Sequence, residues 1–168
     1  MNTTHPHPPL ASRVCFLGDI ENLVGLPEGP SGENVQAVAS TVSQMFDKCQ
    51  VFSVLACAHR NAPAVCFNWP KARYLIRSGP DGADNCLLEV MLNEDLASRF
   101  DVVVIGSGDH IFTEAAAELA ASGVYVVAAV GRGGLSRHLQ LAVHETVYLP
   151  IDWIGEGNET AMEVLLSA

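Results

Sequence analysis

The side chains of this chain best placed for chemistry are three aspartates, Asp19, Asp84 and Asp109. Asp19 ends the run Arg13-Val14-Cys15-Phe16-Leu17-Gly18, and Glu21 and Asn22 follow it at once with no helix start evident nearby. A second stretch repeats the design: Asp101-Val102-Val103-Val104-Ile105-Gly106, then Ser107-Gly108-Asp109. Short apolar runs of this kind suit strands buried on both faces, and ligands of open α/β sheets bind beyond the carboxyl ends of such strands. Asp84 falls in the first turn of a helix expected from about Ala83 to Ser98, on the face it shares with Leu87 and Leu88. That face packs on the sheet, so Asp84 belongs near the same edge. Each aspartate at a helix start also has a plainer use, Asp84 as a dipole partner and Asp109 as an N-cap. Three carboxylates on one edge would repel one another unless a cation neutralised them. One or two Mg²⁺ or Mn²⁺ ions, which take oxygen ligands, meet that need. Such ions activate water and stabilise both oxygens of a phosphodiester displacement.

The elements that must position these acids alternate along the chain. After the first strand comes a Gly/Pro loop, then a helix from Ser31 or Gly32 to about Asp47 with Val35, Val38, Ala39, Val42 and Met45 as its apolar stripe. A strand over 51–57, a short helical piece over 63–68 and a strand over 72–76 follow. Ser78-Gly79-Pro80-Asp81-Gly82 is a turn signal before the Asp84 helix. Beyond the fourth strand the pattern predicts a helix over 110–122, a fifth strand over 124–130, a short helix over 135–143 and a last short strand over 146–149. Crossovers of this length imply a parallel sheet with helices on both faces. The domain spans about 13–150. Residues 1–12 read as a tail, and 151–168 as an extension with one more short helix over 159–166.

Bulk properties narrow the classes. A chain of 168 residues, 49% hydrophobic and 17% charged, suits one domain with a large aliphatic core. No apolar run is long enough for a membrane span, and the first residues lack the basic and apolar regions of a secretory signal. Five cysteines (15, 49, 57, 66 and 86) form no Cys-x-x-Cys pair and sit among apolar neighbours, which suits free thiols in a cytoplasmic protein. Net charge −10 argues against tight nonspecific binding to nucleic acid. Any polyanion must therefore meet concentrated cations, with Lys71, Arg73, Arg77, Arg132, Arg137 and His138 as candidates and Arg60 close to the first three in sequence. No Lys occurs after Lys71 to serve an aspartyl-phosphate enzyme or a receiver domain, and Gly106-x-Gly108 is too short for a dinucleotide fingerprint.

Asp19-Ile20-Glu21-Asn22-Leu23, Gly82-Ala83-Asp84 and Ser107-Gly108-Asp109-His110-Ile111-Phe112 resemble, in order and spacing, the three signatures of NYN domains. These are PIN-like ribonucleases related to the 5′-nuclease fold. The resemblance implies a three-layer α/β/α fold with a central parallel sheet in the order 3-2-1-4-5. It further implies Asp19, Asp84 and Asp109 as catalytic metal ligands for Mg²⁺ or Mn²⁺, Asn22 and Ser107 as supporting polar groups, and RNA as substrate. A homodimer is an option for the assembly. Two positions depart from the family pattern. Ile20 stands where Gly is usual, and Ile111 where the last motif often has a second Asp. The expectation is a metal-dependent ribonuclease, and the alternative is a catalytically degenerate NYN-like module that binds nucleic acid or a protein partner.

Overall fold

The central strands are the ones whose residues are apolar at every step, because both of their faces are covered. β1 (Arg13–Asp19) and β4 (Val102–Gly106) are buried from end to end, apart from Arg13. Beside them lie β2 (Gln50–Cys57), β3 (Arg73–Ile76), β5 (Tyr125–Val130) and β6 (Glu145–Tyr148). All pairings are parallel, and the order is β3-β2-β1-β4-β5-β6. The expected order 3-2-1-4-5 stands, with the last short strand added outside β5. The computed structural model describes residues 12–26, 28–151 and 153. The helix expected over 159–166 lies outside the described residues, as do residues 1–11 of the expected tail. Ser12 itself is buried, and its carbonyl accepts the amide of Gln50 at 3.0 Å.

The period-two alternation of the strands separates two cores. Cys15, Leu17, Val54, Ala56, Val103, Ile105 and Val126 point to one face. There they meet α4 (Gly82–Asn93), α6 (Thr113–Ala121) and Leu139 of α7 (Arg137–Ala142). Val14, Phe16, Leu55, Cys57, Val102, Val104 and Val127 point to the other. They are covered by α1 (Ile20–Val24), α2 (Gly32–Met45) and α3 (Ala62–Asn68), and Trp69 stacks on Phe16 with ring centroids 5.4 Å apart. This is a three-layer α/β/α arrangement. All five cysteines are free, and burial pushes the Cys15 thiol up to about 12 and that of Cys57 to about 11. Among the described residues no helix is long and apolar enough to cross a membrane.

Three local expectations need correction. Asp19 does have a helix start beside it: α1 begins at Ile20, too short to show a hydrophobic period. The helix expected over 83–98 is two, because Asp95 adopts a left-handed φ of 47°, which Asp tolerates better than most residues. A separate turn, α5 (Leu96–Arg99), follows it, and the Ser98 hydroxyl holds the break by donating to Asp95 Oδ2 at 2.7 Å. The helix expected over 110–122 opens as a 3₁₀ turn over His110–Phe112 before α6.

Candidate metal centre

Asp19 sits at the carboxyl end of the central strand and is 5% exposed. Its Oδ1 accepts the amides of Glu21 at 3.1 Å and Asn22 at 3.2 Å, so the side chain caps α1 while facing the sheet edge. Asp84 reaches the same place from the first turn of α4, whose antiparallel return brings its amino end to the carboxyl ends of the strands. The two carboxyls are close enough that each shifts the titration of the other. Burial, and then the charge of Asp84, push the Asp19 carboxyl up to about 8. Burial also raises Asp84, aided by the charges of Asp109, Asp81 and Glu21. Oδ1 of Asp84 is buried and, among the described residues, finds no hydrogen-bond donor. An oxygen in that state is costly unless something cationic or protic meets it.

Asp109 completes the edge after β4, but part of its capacity is already used. Its Oδ1 accepts the amide of Ile111 at 2.9 Å and lies 2.9 Å from Nδ1 of the exposed His110. The N-cap role foreseen for Asp109 is therefore present together with its place at the edge. Ile111 is half-buried against the core on the α4 side.

Asn22 and Ser107 act on loops more than on carboxylates. Asn22 Oδ1 accepts the amide of Gly108 at 3.1 Å, and its carbonyl accepts that of Gly133 at 3.1 Å. Ser107 is fully buried, and its hydroxyl accepts the amide of Asp109 at 3.3 Å. The Gly131-Arg132-Gly133-Gly134 loop is drawn closely against α1 and the Asp109 turn, leaving no room for a side chain at Gly131 or at the facing Gly108. A Cβ on Gly108 would stand 1.9 Å from the Gly134 carbonyl oxygen, and one on Gly131 would stand 2.0 Å from that of Leu23. Arg132 rides on this loop, its amide donating to the Leu23 carbonyl at 2.9 Å.

Glu21 is the member that motif reasoning left out. Its Oε1 accepts the amide of Ala58 at 2.9 Å and the side-chain amide of Asn61, tying α1 to the loop after β2. Its adjacency to Asp19 was visible, but its partners lie 37 and 40 residues away.

The expected cationic groove is only partly assembled. Lys71 lies before β3 in a left-handed turn (φ 65°) and lines a recess with Asp47, Cys49 and Val51 at the amino edge of the sheet. Arg73, at the start of β3, pairs at 2.7 Å with Glu94, which follows the far end of α4 from Asp84. Both therefore face away from the acids, because a residue before a strand and one after it lie at opposite ends of a parallel sheet. Arg77 is at the carboxyl edge but is held bidentately by Glu89, at 2.8 and 3.1 Å. Arg137 and His138 are exposed beyond β5, on the acidic side.

The donor set, carboxylate oxygens with one left unpartnered, fits a hard divalent cation. Among the described residues, however, no three His, Cys, Asp or Glu side chains already form a group that could hold a metal ion. The fold and the edge together define an all-parallel α/β/α protein with acidic side chains at the carboxyl edge of its sheet. No family model matches the chain, and no curated protein matches it. Among solved structures it is similar to VPA0982, a protein of unknown function from Vibrio parahaemolyticus. The TM-score is 0.62 at 13% identity, over 89% of this chain and 96% of that one. That likeness concerns the fold alone.

Proposed function

We propose that this protein hydrolyses RNA phosphodiesters with the help of a divalent Mg²⁺ or Mn²⁺ ion held by Asp19, Asp84 and Asp109. The observation that carries the reading is the buried Asp84 Oδ1, unpartnered among the described residues, beside the buried Asp19 carboxyl. A divalent ion bound there supplies the charge that stabilises the oxygens of the displacement and makes water acidic enough to attack. Asp19 would hold the ion as a carboxylate, oriented by the amides of Glu21 and Asn22. Asn22 and Ser107 keep the turn bearing Asp109 in register with α1.

The same edge supports a second reading. Ile111 takes the place of an acid, and Asp109 is half engaged by its own turn, which suits a module that binds RNA without turning it over. The deciding experiment titrates Mg²⁺ and Mn²⁺ calorimetrically into wild type and Asp84→Asn, then incubates each with a mixed RNA pool. One tight equivalent that the substitution abolishes, with metal-dependent cleavage, is the expected result. If wild type is inert with both ions and Ile111→Asp restores nothing, the binding-module reading replaces this one.

A further inference from the structure

Cations are few in this chain, so the place of each is informative. Of nine Lys and Arg side chains, Arg13, Arg73, Arg77 and Arg99 are committed to acid partners, and Arg132 is half-buried on the loop drawn against α1 and already engaged. Lys48 and Lys71 precede β2 and β3, at the amino edge of the sheet. Arg60 and Arg137 are exposed, and neither forms an ion pair among the described residues. They follow β2 and β5 respectively, so the strand order sets them on opposite sides of β1 and β4, which deliver Asp19 and Asp109. Three strand spacings, about 14 Å, separate β2 from β5.

Arg60, in a 3₁₀ turn, and Arg137, at the start of α7, both sit on segments fastened to the acidic centre. On one side Glu21 holds Ala58 and Asn61, and the Ser78 hydroxyl accepts the amide of His59 at 3.1 Å. On the other, the amide of Ser136 donates to the Gly108 carbonyl at 2.8 Å, and its hydroxyl caps α7 by accepting the amide of His138 at 3.2 Å. Two free cations thus flank an acidic centre on anchored supports.

We propose that single-stranded RNA crosses the carboxyl edge at right angles to the strands, with Arg60 and Arg137 each holding a backbone phosphate on either side of the acids. The inference rests on the metal-dependent RNA reading and replaces the approach through Lys71 and Arg73. A duplex, with one charge about every 1.7 Å of its axis, would press many uncompensated phosphates against a chain of net charge −10. A single strand can bend so that two phosphates meet the arginines while the others stay in water.

The test is fluorescence anisotropy of a short single-stranded RNA and of its duplex, with Mg²⁺ present, over a range of salt, with gel recovery of intact RNA. Arg60→Ala and Arg137→Ala should each weaken single-strand binding several-fold and shrink the salt slope by about 0.7, the value for one lost phosphate contact. Lys48→Ala and Lys71→Asn, the latter chosen to tolerate the left-handed turn, should change neither. Equal losses from the lysine variants, tighter binding of the duplex, or no RNA binding at all would overturn the proposal. Cleavage that persists unaltered in the double arginine variant would remove this path but leave the nuclease reading intact. Binding that depends on both arginines without cleavage under any metal would do the reverse.

Discussion

A buried carboxyl that keeps its proton in the folded state makes stability depend on pH in an uncommon direction. Asp19 has an ordinary value of 3.8 and is raised to about 8 by burial and by Asp84. The folded chain therefore binds more protons than the unfolded chain across that window, and stability falls as pH rises through it. In chelator, the melting temperature should drop from about pH 4 to pH 8, and Asp19→Asn should flatten the profile while abolishing metal binding. A melt that rises with pH over the same range would show that the pair is not held in this state. At Ile111 the opposite exchange applies. Ile111→Asp adds a carboxylate beside the cluster, so it should raise Mg²⁺-supported cleavage and lower metal-free stability by ~1 kcal/mol, the usual scale for a point substitution. Cleavage assays and chemical denaturation read the two effects separately.

At the scale of elements, the site depends on how closely three turns approach one another. Gly108→Ala would drive a methyl group into the Gly134 carbonyl and should cost about 1–3 kcal/mol, as overpacking does. Metal affinity should fall with it, because the Asp109 turn must move away from α1. Asn22→Ala is expected to loosen the same joint by about 1 kcal/mol, the net scale of one hydrogen bond; near-native stability in both would mean that the joint is not rigid. These contacts explain what was readable in advance and what was not. The strands β1 and β4 were legible because burial on both faces leaves an unbroken apolar run, and Asp19 and Asp109 followed from their ends. Asp84 was legible through the spacing of Leu87 and Leu88. Hidden were α1, which is too short to display a period, and the break at Asp95, which turns on one backbone angle. The pairing of Arg73 with Glu94 escaped too, because nearness in sequence to other cations says nothing about which end of a sheet a side chain faces.

For the whole molecule, a net charge of −10 means that folding gathers like charges, among them Asp84, Asp109 and Glu21. Monovalent salt should raise the metal-free melting temperature by screening that repulsion. A divalent ion that binds only the folded form should add about 2.7 kcal/mol at a free concentration of 100 times its Kd. Asp84→Asn should erase the second effect and leave the first largely intact. Calorimetric scans at matched ionic strength separate them.

The close approach of Gly108 and Gly131 to neighbouring carbonyls also bears on how the chain tolerates sequence variation. In a saturation library selected only for folding, those two glycines should be as intolerant as the aliphatic core, although neither side chain does any chemistry. Asp84 should behave in the opposite way, accepting neutral replacements readily and even enriching for them. Selecting the same library for turnover on RNA would reverse the order at Asp84 and leave the glycines unchanged. The two landscapes together would separate the residues that shape the edge from those that act at it.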